Sequence, residues 1–156
     1  MISFSATDPE FEQRIRRSFG EQRVMSAIGA SLGAIEPGAV DIVLPFRDDL
    51  TQQDGFLHAG IIATIADSAC GYAAFTLMPA AARVLSIEFK VNLLAPAVGE
   101  RMVARGRVLR AGKTITVCRA DVAAVIDRKE KLVATMQGTM MSVDTRERRP
   151  EGVTLL

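Results

Sequence analysis

The spacing of hydrophobic and polar positions changes several times along the chain. Residues 8–19, DPEFEQRIRRSF, place Phe11, Ile15 and Phe19 in one stripe. That pattern predicts an amphipathic helix, with Asp8 as its N-cap, Pro9 at the first helical position and Gly20 at its end. Residues 24–35 (VMSAIGASLGAI) and 39–46 (AVDIVLPF) are joined by EPG, a Pro-Gly turn signal, and read as a hairpin. From Phe56 to Ala82 the chain is apolar or small almost throughout, which predicts one helix over about 58–77, buried on nearly all sides. Four strand-like segments follow, VLSIEFKVNLLA, GERMVARGRVLR, KTITVCRADVAAVI and KLVATMQGTMMSV. In the first of these, Leu85, Ile87, Phe89, Val91 and Leu93 alternate with Ser86, Glu88, Lys90 and Asn92, the period of a pleated strand with one face toward a core. The segment from Thr145 onward is charged, then Pro- and Gly-containing, and reads as a loose tail over 145–156.

Two strands, a long helix and four further strands in succession argue for an α+β domain whose antiparallel sheet covers the helix. At 156 residues the chain fits one domain spanning 1–156. The apolar stretch is long enough to raise a membrane span, but Asp67 sits near its middle, where a charge is costly, and no basic cluster flanks it. Nineteen basic against 18 acidic residues leave a formal charge of +1, which removes the electrostatic case for nucleic acid or an anionic membrane as partner. Seven Phe, one Tyr and no Trp give few rings on which to stack exposed bases. Cys70 and Cys118 form no CxxC pair and His58 is the only histidine, so neither a zinc site nor a disulfide scaffold is expected. The amino terminus has no continuous apolar stretch followed by a small-residue cleavage site, and the expected location is cytoplasmic. No GxGxxG, GxxxxGK[ST] or GxSxG occurs, so the chemistry has to lie elsewhere.

The informative constellation is Gln52, Gly55, His58, Ala59, Gly60 and Asp67, with Ser86 and Pro96 downstream. A carboxylate inside an apolar helix has to be paired, hydrogen-bonded or shifted toward its neutral form. Asp67 therefore reads either as a catalytic carboxylate or as one half of a structural pair. His58 precedes it by nine residues, which is half a turn out of phase and about 13 Å along the axis. The two cannot converge within one helix. An antiparallel second copy would bring one helix N-terminus to the other copy's Asp67, giving a two-fold dimer with two shared sites. A helix N-terminus offers unpaired N–H donors and the positive end of a dipole, suited to stabilising an oxyanion. His58 itself reads as a capping or positioning residue. Gln52 is either a ligand for a carbonyl or water, or an ordinary loop amide with Gln53 as its rival, and Ser86 is either exposed or turned toward Asp67.

GFLHAG at 55–60, IIATIAD at 61–67 and VLSIEFKVNLLAPA at 84–97 resemble the hotdog-fold acyl-CoA thioesterases, specifically the phenylacetate-pathway and hydroxybenzoyl-CoA group. The likeness extends over roughly residues 35–143, as judged from pattern and element order. It implies a hotdog fold and hydrolysis of an acyl-CoA thioester, with Asp67 as general base or nucleophile. It also implies Ala59 and Gly60 amides at the thioester carbonyl, and Gln52 and Ser86 as assisting groups. No cofactor or metal is implied, CoA being part of the substrate, and the expected assembly is a homodimer with shared sites, paired further into a homotetramer. Candidate substrate contacts are Arg110 and Lys113 for the CoA phosphates and Ile61 and Ile62, with Phe75 or Met78, for the acyl group. The chain departs from the usual HGG by placing Ala59 second, which would be strained if that position needed a positive φ. Two other readings stay open: a non-catalytic acyl-CoA binding or sensing module on the same fold, and a hydratase or dehydratase, which would need an acid-base histidine beside a carboxylate.

Overall fold

The computed structural model describes residues 4–144; the expected loose tail lies outside them. Helix α1 runs over Phe11–Glu21 and α2 over Arg23–Ile28. Asp8 stands ahead of α1 rather than at its cap: its carboxylate accepts the Glu10 N–H at 2.9 Å, and its carbonyl accepts the Phe11 N–H at 3.2 Å. Gly20 does not end α1, which continues to Glu21. The reading of 24–35 as one strand is corrected. Met25 and Ile28 are buried at i, i+3 spacing, which is a helical period, and Gly29 at φ +77° closes α2 by donating its N–H to the Met25 and Ser26 carbonyls. Only Ser31–Glu36 is extended, as β1. The expected hairpin with β2, Ala39–Pro45, is present, turning through Pro37 and Gly38, whose φ of +78° suits the third position of a Pro-Gly turn.

The apolar segment forms α3, Ala59–Phe75, followed by β3 (Ala82–Leu93), β4 (Arg101–Ala111), β5 (Ile115–Ile126) and β6 (Lys129–Asp144). The six strands make one antiparallel sheet in the order β1-β2-β4-β5-β6-β3, and α3 packs against β2 through β6. This is the hotdog arrangement, a sheet wrapped on a central helix. The core is filled from α3 by Ile62, Ile65, Ala66, Ala69 and Ala73, and from the sheet by Val40, Ile42, Leu44, Met102, Val122, Met136 and Met140. Small residues let helix and sheet approach closely. A side chain at Gly106 of β4 would stand 2.1 Å from the Ala69 carbonyl oxygen, so the helix backbone rests on that strand.

The C-terminal end of α3 is held by Arg14, a buried cation on α1. Its guanidinium donates to the carbonyls of Phe75 (3.0 Å), Met78 (2.8 Å) and Pro79 (2.6 Å), lies 4.4 Å over the Phe75 ring, and has Asp8 as counter-charge at 3.3 Å. Helix ends leave carbonyls without partners, and a cation there satisfies both the hydrogen bonds and the negative end of the dipole.

The alternation in β3 is interrupted, which corrects the expected apolar face. A bulge between Ser86 and Glu88 shifts the register against β6, so that Ser86 pairs with Met140, Phe89 with Gly138 and Val91 with Met136. Met136 and Met140 are buried in the core, so Ser86, Phe89 and Val91 lie together on the helix side of the sheet. Ile87, Phe89 and Leu93 are nevertheless 50%, 47% and 54% exposed, because β3 is an edge strand that reaches beyond the cover of α3.

Candidate active site

The site begins with the loop that starts α3. The Gln52 N–H donates to the Phe56 carbonyl at 2.8 Å, the Gly55 N–H to the Gln52 carbonyl at 3.1 Å, and the His58 N–H to the Leu50 carbonyl at 3.0 Å. Gly55, at φ +80°, makes the turn. The Leu57 N–H donates to Ala97 at 3.0 Å, so the Pro96-Ala97 segment after β3 pins the loop from the other side. His58 is the N-cap of α3: its Nδ1 accepts the Gly60 N–H at 2.9 Å, and its carbonyl accepts the Ile61 N–H at 2.9 Å. The Gly60 amide is thus occupied, while no acceptor for the Ala59 N–H is found among the described residues. Ala59 lies in the first helical turn and is not among the positive-φ residues, so alanine in place of glycine carries no backbone strain.

The second group lies two turns along α3. Asp67 is half-buried and accepts a 2.7 Å hydrogen bond from the Ser86 hydroxyl. The β3 bulge turns Ser86 to this side, and its Oγ also lies 3.3 Å from the Met140 sulfur. Burial pushes the Asp67 carboxyl above the ordinary carboxylate range, and the bond from Ser86 offsets part of that rise. No arginine or lysine pairs with Asp67 among the described residues. Beside the carboxylate is a cavity of about 340 Å³, walled by α1, α3 and β3 and lined by Ser18, Glu21, Gln22, Ser68, Gly71, Tyr72 and Val84 as well as Asp67 and Ser86.

Within one chain the predicted residues therefore separate into two clusters. Gln52, His58, Ala59 and Gly60 gather at the start of α3, and Asp67 and Ser86 meet at the cavity. Asp67 lies eight residues after Ala59, about 12 Å along the helix. The Gln52 side chain is engaged in its own loop, its Oε1 accepting the Asp54 N–H. Arg110 and Lys113 are exposed at the β4–β5 hairpin and do not line the Asp67 cavity. Ile61 and Ile62 do not line it either, nor do Phe75 and Met78; Ile62, Phe75 and Met78 are core residues. The cavity walls that pattern reading missed are Ser18, Glu21 and Gln22, because a residue at a helix-helix junction carries no periodic signal. Tyr72 was the legible clue, a polar-tipped ring in an otherwise apolar helix five residues beyond Asp67.

Residues 54–131 match the family model of the thioesterase superfamily. A Halobacterium salinarum protein provisionally named an esterase is 30% identical over 132 residues, covering 81% of this chain and 85% of that one. Human acyl-coenzyme A thioesterase 13 is 27% identical over 123 residues, 78% of this chain and 86% of its own. The crystal structure of a thioesterase family protein from Silicibacter pomeroyi superposes with a TM-score of 0.85 at 48% identity, covering 86% of this chain and 98% of that one. No helix among the described residues is long and apolar enough to cross a membrane. A sheet wrapped on one apolar helix, a lone carboxylate in that helix facing a cavity, and these matches together place the chain in the thioesterase superfamily, as a thioester hydrolase on the hotdog fold.

Proposed function

We propose that the protein hydrolyses an acyl-CoA thioester to the free acid and CoA, with Asp67 as the catalytic carboxylate. The observation that carries this reading is the Asp67–Ser86 pair, an unneutralised carboxylate held at 2.7 Å from a hydroxyl at the wall of a cavity. In the general-base form, the carboxylate takes a proton from water as the water oxygen bonds to the thioester carbon, the carbonyl oxygen becomes an oxyanion, and its collapse expels the CoA thiolate. In the nucleophilic form, Asp67 attacks the thioester carbon, the C–S bond breaks to release the CoA thiolate and leave a mixed anhydride, and water then hydrolyses the anhydride to the free acid and the Asp67 carboxylate. A carboxyl raised by burial is a stronger base than an exposed one. Neither route calls on a metal or cofactor.

The oxyanion donor is the unpaired Ala59 N–H of a second copy, at the positive end of α3. Supporting this, the edge strand β3 leaves its backbone unpaired and Ile87, Phe89 and Leu93 half exposed, an apolar strip on the side where a second α3 would lie. Pairing of two such edges about a two-fold axis sets the α3 helices side by side and antiparallel, so each N-terminus meets the other copy's Asp67. His58 and Gln52 then act as positioning residues, His58 by capping the helix and Gln52 by holding the preceding turn. The test is thiol release from a panel of aryl-, short- and medium-chain acyl-CoAs by the wild type and Asp67→Asn. Loss of about 10²–10⁴-fold in kcat in the variant supports the assignment. Saturable binding of acyl-CoA with no turnover by either protein would identify a binding module instead.

A further inference from the structure

The cavity beside Asp67 has a polar far wall and a missing side chain. Gly71 lies one turn after Asp67 on the same face of α3, and a methyl group there would meet nothing within 4 Å. Glycine inside a helix costs stability relative to alanine, so this opening is one that helix formation alone would not select. Beyond it the Tyr72 hydroxyl donates to Gln22 Oε1 at 3.1 Å, and Gln22 Nε2 donates to Ser68 Oγ at 3.4 Å. Tyr72 and Ser68 are buried, and Gln22 is partly so. Burial raises the Tyr72 phenol further, against a lowering contact from Ser18, which keeps it a neutral donor. A carboxamide nitrogen carries two N–H groups. One of them is turned to Ser68, which leaves the second for whatever occupies the cavity. Tyr72 stands five residues after Asp67, about 7.5 Å along the helix axis, and Gln22 bridges it to Ser68 in the lining of the same cavity, so this wall flanks a short acyl group whose carbonyl lies at Asp67.

Resting on the proposed acyl-CoA hydrolysis, we propose that Gln22, oriented by Tyr72 and Ser68, is the specificity-determining residue of the acyl subsite, and that the enzyme favours short acyl groups with a hydroxyl or keto oxygen at their far end. Such an oxygen accepts the second Gln22 N–H. A plain alkyl chain strips water from that donor and returns nothing, and sites built around a hydrogen bond discriminate in this way.

The test compares kcat/KM for pentanoyl- and hexanoyl-CoA with their terminally hydroxylated counterparts, using wild type, Gln22→Met and Tyr72→Phe. The wild type should prefer the hydroxylated ester by about three- to tenfold, the discrimination of a single neutral hydrogen bond. Gln22→Met should bring that ratio to about one or below, and Tyr72→Phe, which leaves the fold's apolar contacts intact, should lower it partway. A ratio that is the same in wild type and Gln22→Met, or a wild-type preference for the plain chain, overturns the assignment while leaving thioester hydrolysis standing. Failure of the wild type to cleave any of these esters or the aryl panel would remove the hydrolytic reading and this inference together.

Discussion

Among the described residues no cation pairs with Asp67, and its titration should be visible in the reaction. Its carboxyl is raised by burial and partly lowered by Ser86. The ionised form is the base, so kcat/KM should fall as pH drops through a value above the ordinary carboxylate range. Ser86→Ala removes the contact that favours ionisation, so the acid limb should move to higher pH with a loss of up to about tenfold in rate at neutral pH, as the net worth of one hydrogen bond allows. A pH–rate profile of the two proteins checks both directions, and an unmoved limb would separate Ser86 from the base. Asp67 was legible in the sequence because a single charge in an apolar helix is an anomaly at any register. The orientation of Ser86 was not, since uninterrupted alternation places it with Glu88 and Lys90, and only the bulge turns it to the helix side. Gln22 was invisible for a similar reason, its place depending on how α1 and α2 meet.

Among the elements, the long helix and the last four strands were readable from period and turn signals, whereas residues 24–29 were not. An apolar run with Met25 and Ile28 three apart is too short to separate helix from strand by pattern, and the stop at Gly29 decides it. Nor does periodicity reveal that Arg14 holds the end of α3, since a long cation on an amphipathic helix ordinarily points to water. The seat of α3 on the sheet is the most sensitive contact. Gly106→Ala would place a methyl group 2.1 Å from the Ala69 carbonyl, backbone against backbone, with no flexible side chain to yield. It should destabilise the fold by about 1–3 kcal/mol or more, and displace Asp67, two residues before Ala69, enough to lower activity. Denaturant unfolding with parallel kinetics measures this, and wild-type stability in the Gly106→Ala protein would show that helix and strand do not touch at this point.

For the whole molecule, the decisive feature is that one chain holds the two halves of the candidate site about 12 Å apart along a rigid helix. In the proposed dimer, pairing through β3 would close that distance. Phe89→Asp places a charge in the exposed apolar strip at a position that forms none of the hydrogen bonds of Asp67, Ser86 or the α3 cap, and should yield monomers that fold but have lost most turnover. Sedimentation or light scattering alongside thiol release checks the coupling; an active monomer would show that one chain suffices. The anomaly of nine residues between His58 and Asp67 was already visible in the sequence, because helix geometry forbids their meeting. The exposure of the β3 strip was not, since the alternating apolar residues of β3 were expected to face the chain's own core.

The proposed sharing of the site is best measured by complementation between two crippled chains. Asp67→Asn removes the carboxylate, and Ala59→Pro removes the unpaired N–H at a first helical position, where proline is tolerated. Each protein alone should be nearly inactive. Co-expressed in equal amounts, half of the dimers carry one chain of each kind. In every such dimer one site draws its carboxylate from the chain bearing Ala59→Pro and its donor from the chain bearing Asp67→Asn, both groups intact. Activity should return to about a quarter of the wild-type value, one site in two on half of the dimers. Mixed dimers that are demonstrably present, yet no more active than the two parents, would place carboxylate and donor on the same chain and contradict the shared site.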